Sequence, residues 1–306
     1  MVKMTKVDPM SEEPPQGVGA TWLDGTAWRD DETPPDVVRM LLDRGLLLGD
    51  GLFETVAVRM DRPVLLAEHV QRLEASAAAL GFPLPPEFES QVGEALRDLV
   101  GLIPGHELCA LRITATRGGG TEFGLDPPAE PHPTSLIRLI PVPDGTHPQA
   151  EAWIVDWPRT DPDEVLSGHK TTSSLWRIMA HQSARSHGAN LAIITTIDGD
   201  IAEADTASVF AVIGGVIVTP PLSRGILAGT VRAFCLQELE AAGRPVEERI
   251  LPREELETAG EIFVTSSVSS IRPLRTIQGR ALPQATPVAD WLRERYEALP
   301  GDDLDT

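Results

Sequence analysis

The chain has 306 residues, and 46 acidic against 26 basic side chains leave a formal charge of −20 at pH 7. That balance argues against a nucleic-acid or anionic-membrane surface, since both need clustered positive charge. A hydrophobic share of 42% and a charged share of 24% suit one large or two medium globular domains. The most continuous apolar stretch, Val209 to Thr219, is broken by Gly214-Gly215 and is well short of the roughly 20 residues that span a bilayer. Cys109 and Cys235 stand far apart and outside any C-x-x-C pair. This leaves no disulfide framework or thiolate zinc site and predicts a cytoplasmic protein. Lys3 and Lys6 are followed by Asp8, Ser11, Glu12, Glu13 and Pro14-Pro15 where a secretory signal needs an apolar core, so no export is expected.

In chain order, residues 1 to about 17 and the acidic end Gly301-Asp302-Asp303-Leu304-Asp305-Thr306 read as frayed tails with too little to bury. Gly51 to Val58 reads as a strand. Val70, Leu73, Ala77 and Leu80 are spaced three or four apart before Gly81, which predicts an amphipathic helix over 67–80 with a glycine stop; a second helix is expected from Phe88 to Val100. Glu107 to Thr116 alternates, with Leu108, Ala110, Arg112 and Thr114 on one face and Cys109, Leu111, Ile113 and Ala115 on the other. A further strand is expected over Ser135 to Pro141, and Gly118-Gly119-Gly120 reads as a mobile loop. Pro143-Asp144-Gly145-Thr146-His147-Pro148 carries turn chemistry without an apolar anchor, so the expected domains are 18–144, a small α+β unit, and 149–306, a larger one.

The second half reads as strands at Ala152 to Trp157, Leu191 to Thr196, Ser208 to Ile213 and Val216 to Thr219, with turns at Asp198-Gly199 and Gly214-Gly215. A helix is expected over Ser173 to Ser186, another over Val231 to Leu239, strands near Val246 to Ile250 and Glu261 to Thr265, and a last helix from Val288 to Ala298. The fold class is α/β (α+β).

No metal constellation is expected. The seven histidines form no H-E-x-x-H pattern and read as surface or satisfied core residues. A G-x-S-x-G elbow and a P-loop are also missing. Gly168-His169-Lys170-Thr171-Thr172 places one of the chain's few lysines between a turn and a helix, and a desolvated lysine of lowered pKa performs Schiff-base chemistry. Glu203 ends a strand 33 positions later and is followed by small hydroxylated residues. The loop Arg224-Gly225-Ile226-Leu227-Ala228-Gly229 then runs into a helix beginning near Thr230, whose exposed amides suit a phosphate.

With lysine, carboxylate and phosphate loop in this order, the sequence resembles the fold-type IV, or class IV, pyridoxal-phosphate enzymes. These comprise branched-chain aminotransferases, D-amino-acid aminotransferases and aminodeoxychorismate lyases. The resemblance runs from about Trp22 to about Leu292 through Gly49 to Thr55, Glu68 to Ser76, His169-Lys170-Thr171, the Glu203 segment, Gly225 to Arg232 and Phe263 to Ser267. It implies a two-domain enzyme with the cofactor, pyridoxal 5'-phosphate, in the cleft. Lys170 would form the Schiff base and move the proton between substrate and cofactor carbons. Glu203 would pair with the ring nitrogen, and Leu227 would pack on the ring. Arg72, Thr230, Val231 and Ser267 would bind the phosphate. It also implies a homodimer acting on an amino acid and a 2-oxo acid.

Departures from the family pattern bear on substrate. Ser173 and Ser208 stand where asparagines are frequent, and Glu122-Phe123-Gly124-Leu125 replaces the Arg-Gly-Tyr of the lyase branch. Thr55 matches a threonine common in that branch, while Ala110 replaces a tyrosine of the branched-chain enzymes, two residues before Arg112. Thr55, Arg112, Arg117 and the loop from Gly118 to Pro128 are the candidates for substrate recognition. The reading favours an aminotransferase. The alternatives are a 4-amino-4-deoxychorismate lyase releasing pyruvate and 4-aminobenzoate, and a silent binding protein that has lost turnover.

Overall fold

A computed structural model describes residues 19–29, 32, 42–119, 124–127, 129–143 and 149–303. Its first part contains β1 (Ala20–Leu23), β2 (Thr26–Arg29), α1 (Arg44–Leu48), β3 (Gly51–Arg59), β4 (Arg62–Pro63), α2 (Leu66–Ala79), α3 (Phe88–Leu102), β5 (Leu108–Thr116) and β6 (Thr134–Pro141). The strands form an antiparallel sheet in the order β2-β1-β6-β5-β3-β4. The alternation read in β5 is real: Cys109, Leu111, Ile113 and Ala115 are buried, and the residues between them are half-buried. The buried face meets the apolar stripes of α2 and α3, where Leu73, Leu96 and Leu99 close one core with Leu111 and Ile113. Each such side chain contributes roughly 1.5–3 kcal/mol on burial.

The second part contains β7 (Ala150–Thr160), α4 (Leu175–Ser186), β8 (Leu191–Thr196), β9 (Ile201–Ala204), β10 (Ser208–Ile213), β11 (Val216–Thr219), α5 (Thr230–Ala241), β12 (Val246–Glu248), α6 (Glu255–Thr258), β13 (Glu261–Ser266), β14 (Ser270–Ile277), β15 (Arg280–Ala281) and α7 (Pro287–Glu297). The strand order is β12-β11-β10-β13-β14-β7-β8-β9, with β15 on β14. The pairs β11–β12, β14–β7 and β7–β8 are parallel. Ala180 and Ala184 seat α4 against β7 and β8, while α5 and α7 cover Phe210 and Phe263, whose rings stack at 5.0 Å. The first turn of α7 is capped from the sheet: Glu261 accepts the amides of Val288 at 3.1 Å and Ala289 at 2.7 Å.

This α+β architecture agrees with the expected class, and the predicted elements lie within a few residues of those observed. Several elements escaped the sequence reading. β1 is buried along its whole length, so it shows no alternation. β14 carries Pro273, which argues against a central strand, yet Pro273 pairs opposite Phe263. α1 and α6 have five and four residues, too short to show a period. The expected turn at 144–148, residues 120–123 and 128 of the candidate loop, and the N-terminal tail lie outside the described residues.

Two expectations are corrected. Gly118 does not mark a freely moving loop. Its φ is +86°, and a Cβ there would run into the His132 backbone carbonyl, while Gly118 itself accepts the Arg44 amide at 3.0 Å. Nor is the whole acidic C-terminus frayed. Leu65 precedes α2 in the left-handed region, φ 59°, and offers no side-chain cap. Asp302 supplies it, accepting the Leu66 amide at 2.7 Å and donating its own N–H to Pro63 at 2.7 Å.

Two glycine substitutions should therefore have opposite signs. Gly118→Ala should lower unfolding free energy by about 2 kcal/mol or more, through left-handed strain and the backbone clash. Gly101, in the last turn of α3, has open space around its Cβ position, so Gly101→Ala should raise it by about 0.5–1 kcal/mol. Denaturant unfolding of the two variants measures both.

Candidate functional site

The segment carrying Lys170 is tied to the first sheet by backbone pairing. Phe53 donates its N–H to the Lys170 carbonyl at 2.9 Å, and Thr172 donates to Gly51 at 2.8 Å, an isolated bridge between Leu52 and Thr171. β4 pairs only with Val58 and Arg59, so this end of the β3 edge is open to receive the loop. The pairing brings Lys170 Nζ to 4.4 Å from the centre of the Phe53 ring, and the Arg112 guanidinium lies 3.3 Å from the same ring. Lys170 keeps partial solvent exposure, but desolvation brings its pKa down to about 8. Glu54 opposes that shift, whereas the positive charges of Arg72, Arg177 and Arg112 assist it. Roughly a tenth of the amine is then neutral at pH 7.

Glu54 is the hub beneath this lysine. It sits between Leu52 and Val56 on the face of β3 that forms the first core, and it is 1% exposed. Arg72, one turn along α2 from His69, grips it as a fork, Nε at 2.8 Å and Nη2 at 2.5 Å, and His69 Nδ1 lies 2.7 Å away. Burial alone would raise the carboxyl pKa, but the hydrogen bonds of His69 and Arg72 and the charge of Arg72 outweigh it and hold it at about 2. Burial pushes the His69 pKa down, with Glu54 pulling the other way. The neutral ring therefore donates from Nδ1 to Glu54, and the single lone pair of Nε2 accepts from one of two hydroxyls within reach, Ser267 Oγ at 2.7 Å and Thr230 Oγ1 at 3.1 Å, which leaves the other free to donate to a ligand.

Arg72 also donates from Nη1 to the Ala228 carbonyl at 2.7 Å. Arg72, Thr230 and Ser267, from three distant stretches of sequence, are thus gathered by one Glu–His pair. α5 begins beside them with Gly229 as its N-cap and no side-chain cap, leaving its first amides, including that of Val231, for a ligand. A Cβ at Gly229 would stand 2.7 Å from Ser208 Oγ, so the glycine keeps this corner open. Glu203, 3% exposed at the end of β9, is held by Arg177 Nη2 at 2.6 Å and by the Leu227 N–H at 3.3 Å.

Thr55 lies directly across from Arg112 in the β3–β5 pairing, two residues from Phe53 and so on the same face. Arg117 is not gathered into this cluster. Its Nε is shared between both oxygens of Asp50 at 3.2 Å, and its Nη1 donates to the Gly81 carbonyl at 3.0 Å. Ser173 spends its hydroxyl on the Gly49 carbonyl at 3.1 Å.

The sequence reading did not single out Glu54, His69, Phe53 or Arg177 as site residues. A carboxylate on the core face of an otherwise apolar strand, and a His-x-x-Arg spacing that places both side chains on one helical face, were the available signals. His69 is indeed a satisfied buried histidine, but its satisfaction orients the site.

The Glu54 pair makes stability acid-sensitive. A folded pKa near 2 against an ordinary value of 4.5 gives stability that is complete above the ordinary value and lost as pH falls through the folded one, about 3 kcal/mol at full extent. The depressed His69 pKa acts in the same direction at higher pH. Unfolding midpoints measured from pH 7 to 2 should fall for the natural chain, and Glu54→Gln should start less stable with a shallower decline.

The family model described as amino-transferase class IV matches residues 51–277. A provisionally assigned branched-chain-amino-acid aminotransferase of Methanocaldococcus jannaschii is 30% identical over 262 residues, 85% of this chain and 90% of that one. Among solved structures, the branched-chain aminotransferase of Thermoproteus uzoniensis with norvaline superposes with a TM-score of 0.82 at 28% identity, covering 92% of this chain and 94% of its own. The 4-amino-4-deoxychorismate lyase of Pseudomonas aeruginosa does so with a TM-score of 0.74 at 29% identity, covering 90% and 97%. The match over most of the chain and the agreement in fold together establish that this chain belongs to the class IV aminotransferase family of pyridoxal-phosphate-dependent enzymes.

Proposed function

We propose that this protein is a pyridoxal-phosphate-dependent aminotransferase that moves an amino group between an amino acid and a 2-oxo acid, with its site in the cleft between domains 18–144 and 149–306. The observation that carries the reading is Lys170, whose amine lies on Phe53 amid three arginine charges with a pKa of about 8. The donor set fits the cofactor. Arg72, the hydroxyls of Thr230 and Ser267 and the uncapped start of α5 suit a phosphate dianion. Glu203 offers a buried carboxylate to a ring nitrogen, and Leu227 stands beside it.

When bound, pyridoxal phosphate supplies an aldehyde carbon and an electron-withdrawing ring. Lys170 Nζ provides the amine that anchors this group, and once displaced by substrate it takes and returns the proton at the substrate Cα. Glu203 holds a proton at the ring nitrogen. Arg112 and Thr55 recognise substrate carboxylate from the facing strands, with Phe53 as an apolar wall that keeps water from the lysine. Arg117 secures Asp50 behind them.

Leu46, Leu47, Leu175 and Ile178 leave 65%, 62%, 71% and 51% of their surface exposed. We take these apolar side chains as support for a homodimer, and the two free buried cysteines as support for a cytoplasmic setting. The lyase reading has the Pseudomonas aeruginosa enzyme in its favour, and pyruvate release without an acceptor is its signature.

Purified protein loaded with pyridoxal phosphate should show a visible band that single additions of an L- or a D-amino acid bleach without an acceptor, as the pyridoxamine form accumulates. A band that no amino acid converts overturns the aminotransferase reading. Lys170→Ala should lose the band and at least ~1000-fold in turnover. Arg72→Ala also leaves a buried carboxylate without its counter-charge, so Arg72→Lys, which keeps the charge, is the cleaner probe. It should retain the fold and release the cofactor at least ~10-fold more readily in dialysis, because an ammonium cannot reproduce the bidentate geometry.

A further inference from the structure

Arg177 is the third residue of α4, and its side chain crosses to the end of β9 rather than to solvent. It ion-pairs with Glu203 Oε1 at 2.6 Å, and its Nη1 donates to the carbonyls of Asp205 at 3.0 Å and Ala204 at 3.5 Å. Its guanidinium lies 4.3 Å from the Trp176 ring centre. One turn on, His181 Nδ1 meets Asp205 Oδ2 at 2.7 Å. Residues four apart on a helix thus face carboxylates two apart on the chain leaving the sheet.

Glu203 alone would be in difficulty. A buried carboxylate is costly without a cation beside it, and one free to turn keeps no fixed direction toward a ring nitrogen. The Leu227 amide at 3.3 Å is a single long hydrogen bond on the other oxygen. Arg177 supplies a full charge and, through the carbonyls of residues 204 and 205, fixes the segment that aims the carboxylate. A carboxylate has about four acceptor positions, so this pairing leaves room for a further donor.

We propose that Arg177 is a positioning residue that holds the Glu203 carboxylate aimed at the ring nitrogen of the bound cofactor. The proposal rests on the cofactor reading given above. Beyond its share in lowering the Lys170 pKa, Arg177 acts through Glu203, and its loss acts first on how the cofactor is held.

The test uses the full chain, Arg177→Gln and Arg177→Lys, each stripped of cofactor and titrated with pyridoxal phosphate, with apo-protein unfolding measured alongside. Arg177→Gln should bind the cofactor at least ~10-fold more weakly, with the visible band of bound cofactor moved to shorter wavelength as the ring nitrogen loses its proton. Arg177→Lys, which retains the charge but not the fork, should fall between. His181→Ala, which leaves Glu203 untouched, should bind as the natural chain does. Unchanged affinity and band in both Arg177 variants overturn the proposal, whether or not apo stability drops, since a purely structural arginine would change stability alone. If Arg177→Gln does not fold, Arg177→Lys decides by the same two readouts. Failure of the natural chain to take up pyridoxal phosphate overturns the cofactor reading itself and the proposal with it.

Discussion

The arrangement depends on one buried negative charge. Glu54 sits in the wall of the first core, where a carboxylate is tolerated only if its charge is matched, and the match comes from Arg72 and His69 on the neighbouring helix. Because each partner has a second bond outward, to Ala228 in one case and to Ser267 or Thr230 in the other, this local requirement becomes long-range order. The first sheet, the loop before α5 and the end of β13 meet at a fixed spacing. The same charge limits how far burial and the arginines depress Lys170.

A second constraint is the placement of positive charge in an acidic protein. Arg72, Arg112 and Arg177 surround Lys170 closely enough to shift it, yet Arg72 and Arg177 are each neutralised by a carboxylate on the far side, Glu54 or Glu203. The lysine therefore feels repulsion from cations that are themselves anchored. Electrostatic preorganisation of this kind costs little at the moment of reaction because the charges do not need to move.

Much of the fold was legible because local periodicity agreed with burial. β5 alternates, α2 and α3 carry apolar stripes, and β8, β10 and β11 are bounded by glycine and aspartate turns. The reading failed where an element is buried on all sides, as in β1, or where tertiary pairing overrides a local breaker, as at Pro273. For the site, ordered motifs identified Lys170, Arg72, Glu203, Thr230 and Ser267 as candidates. Glu54 and Arg177 stayed hidden because their significance lies in partners 18 and 26 positions away, a relation no short-range spacing reveals. Arg117 looked eligible by charge alone, and only the Asp50 contact shows where that charge is committed.

The hold of Asp302 on the start of α2 bears on how the chain is made. Residues 63 to 66 leave the ribosome more than two hundred positions before the carboxylate that completes their helix. During synthesis the first sheet can gather its core from β3, α2, α3 and β5, but the N-terminal turn of α2 stays open until residue 302 emerges. The helix that carries His69 and Arg72 is thus finished by a residue made long after it, so a polypeptide ended before residue 302 would hold those two side chains on a loosened scaffold.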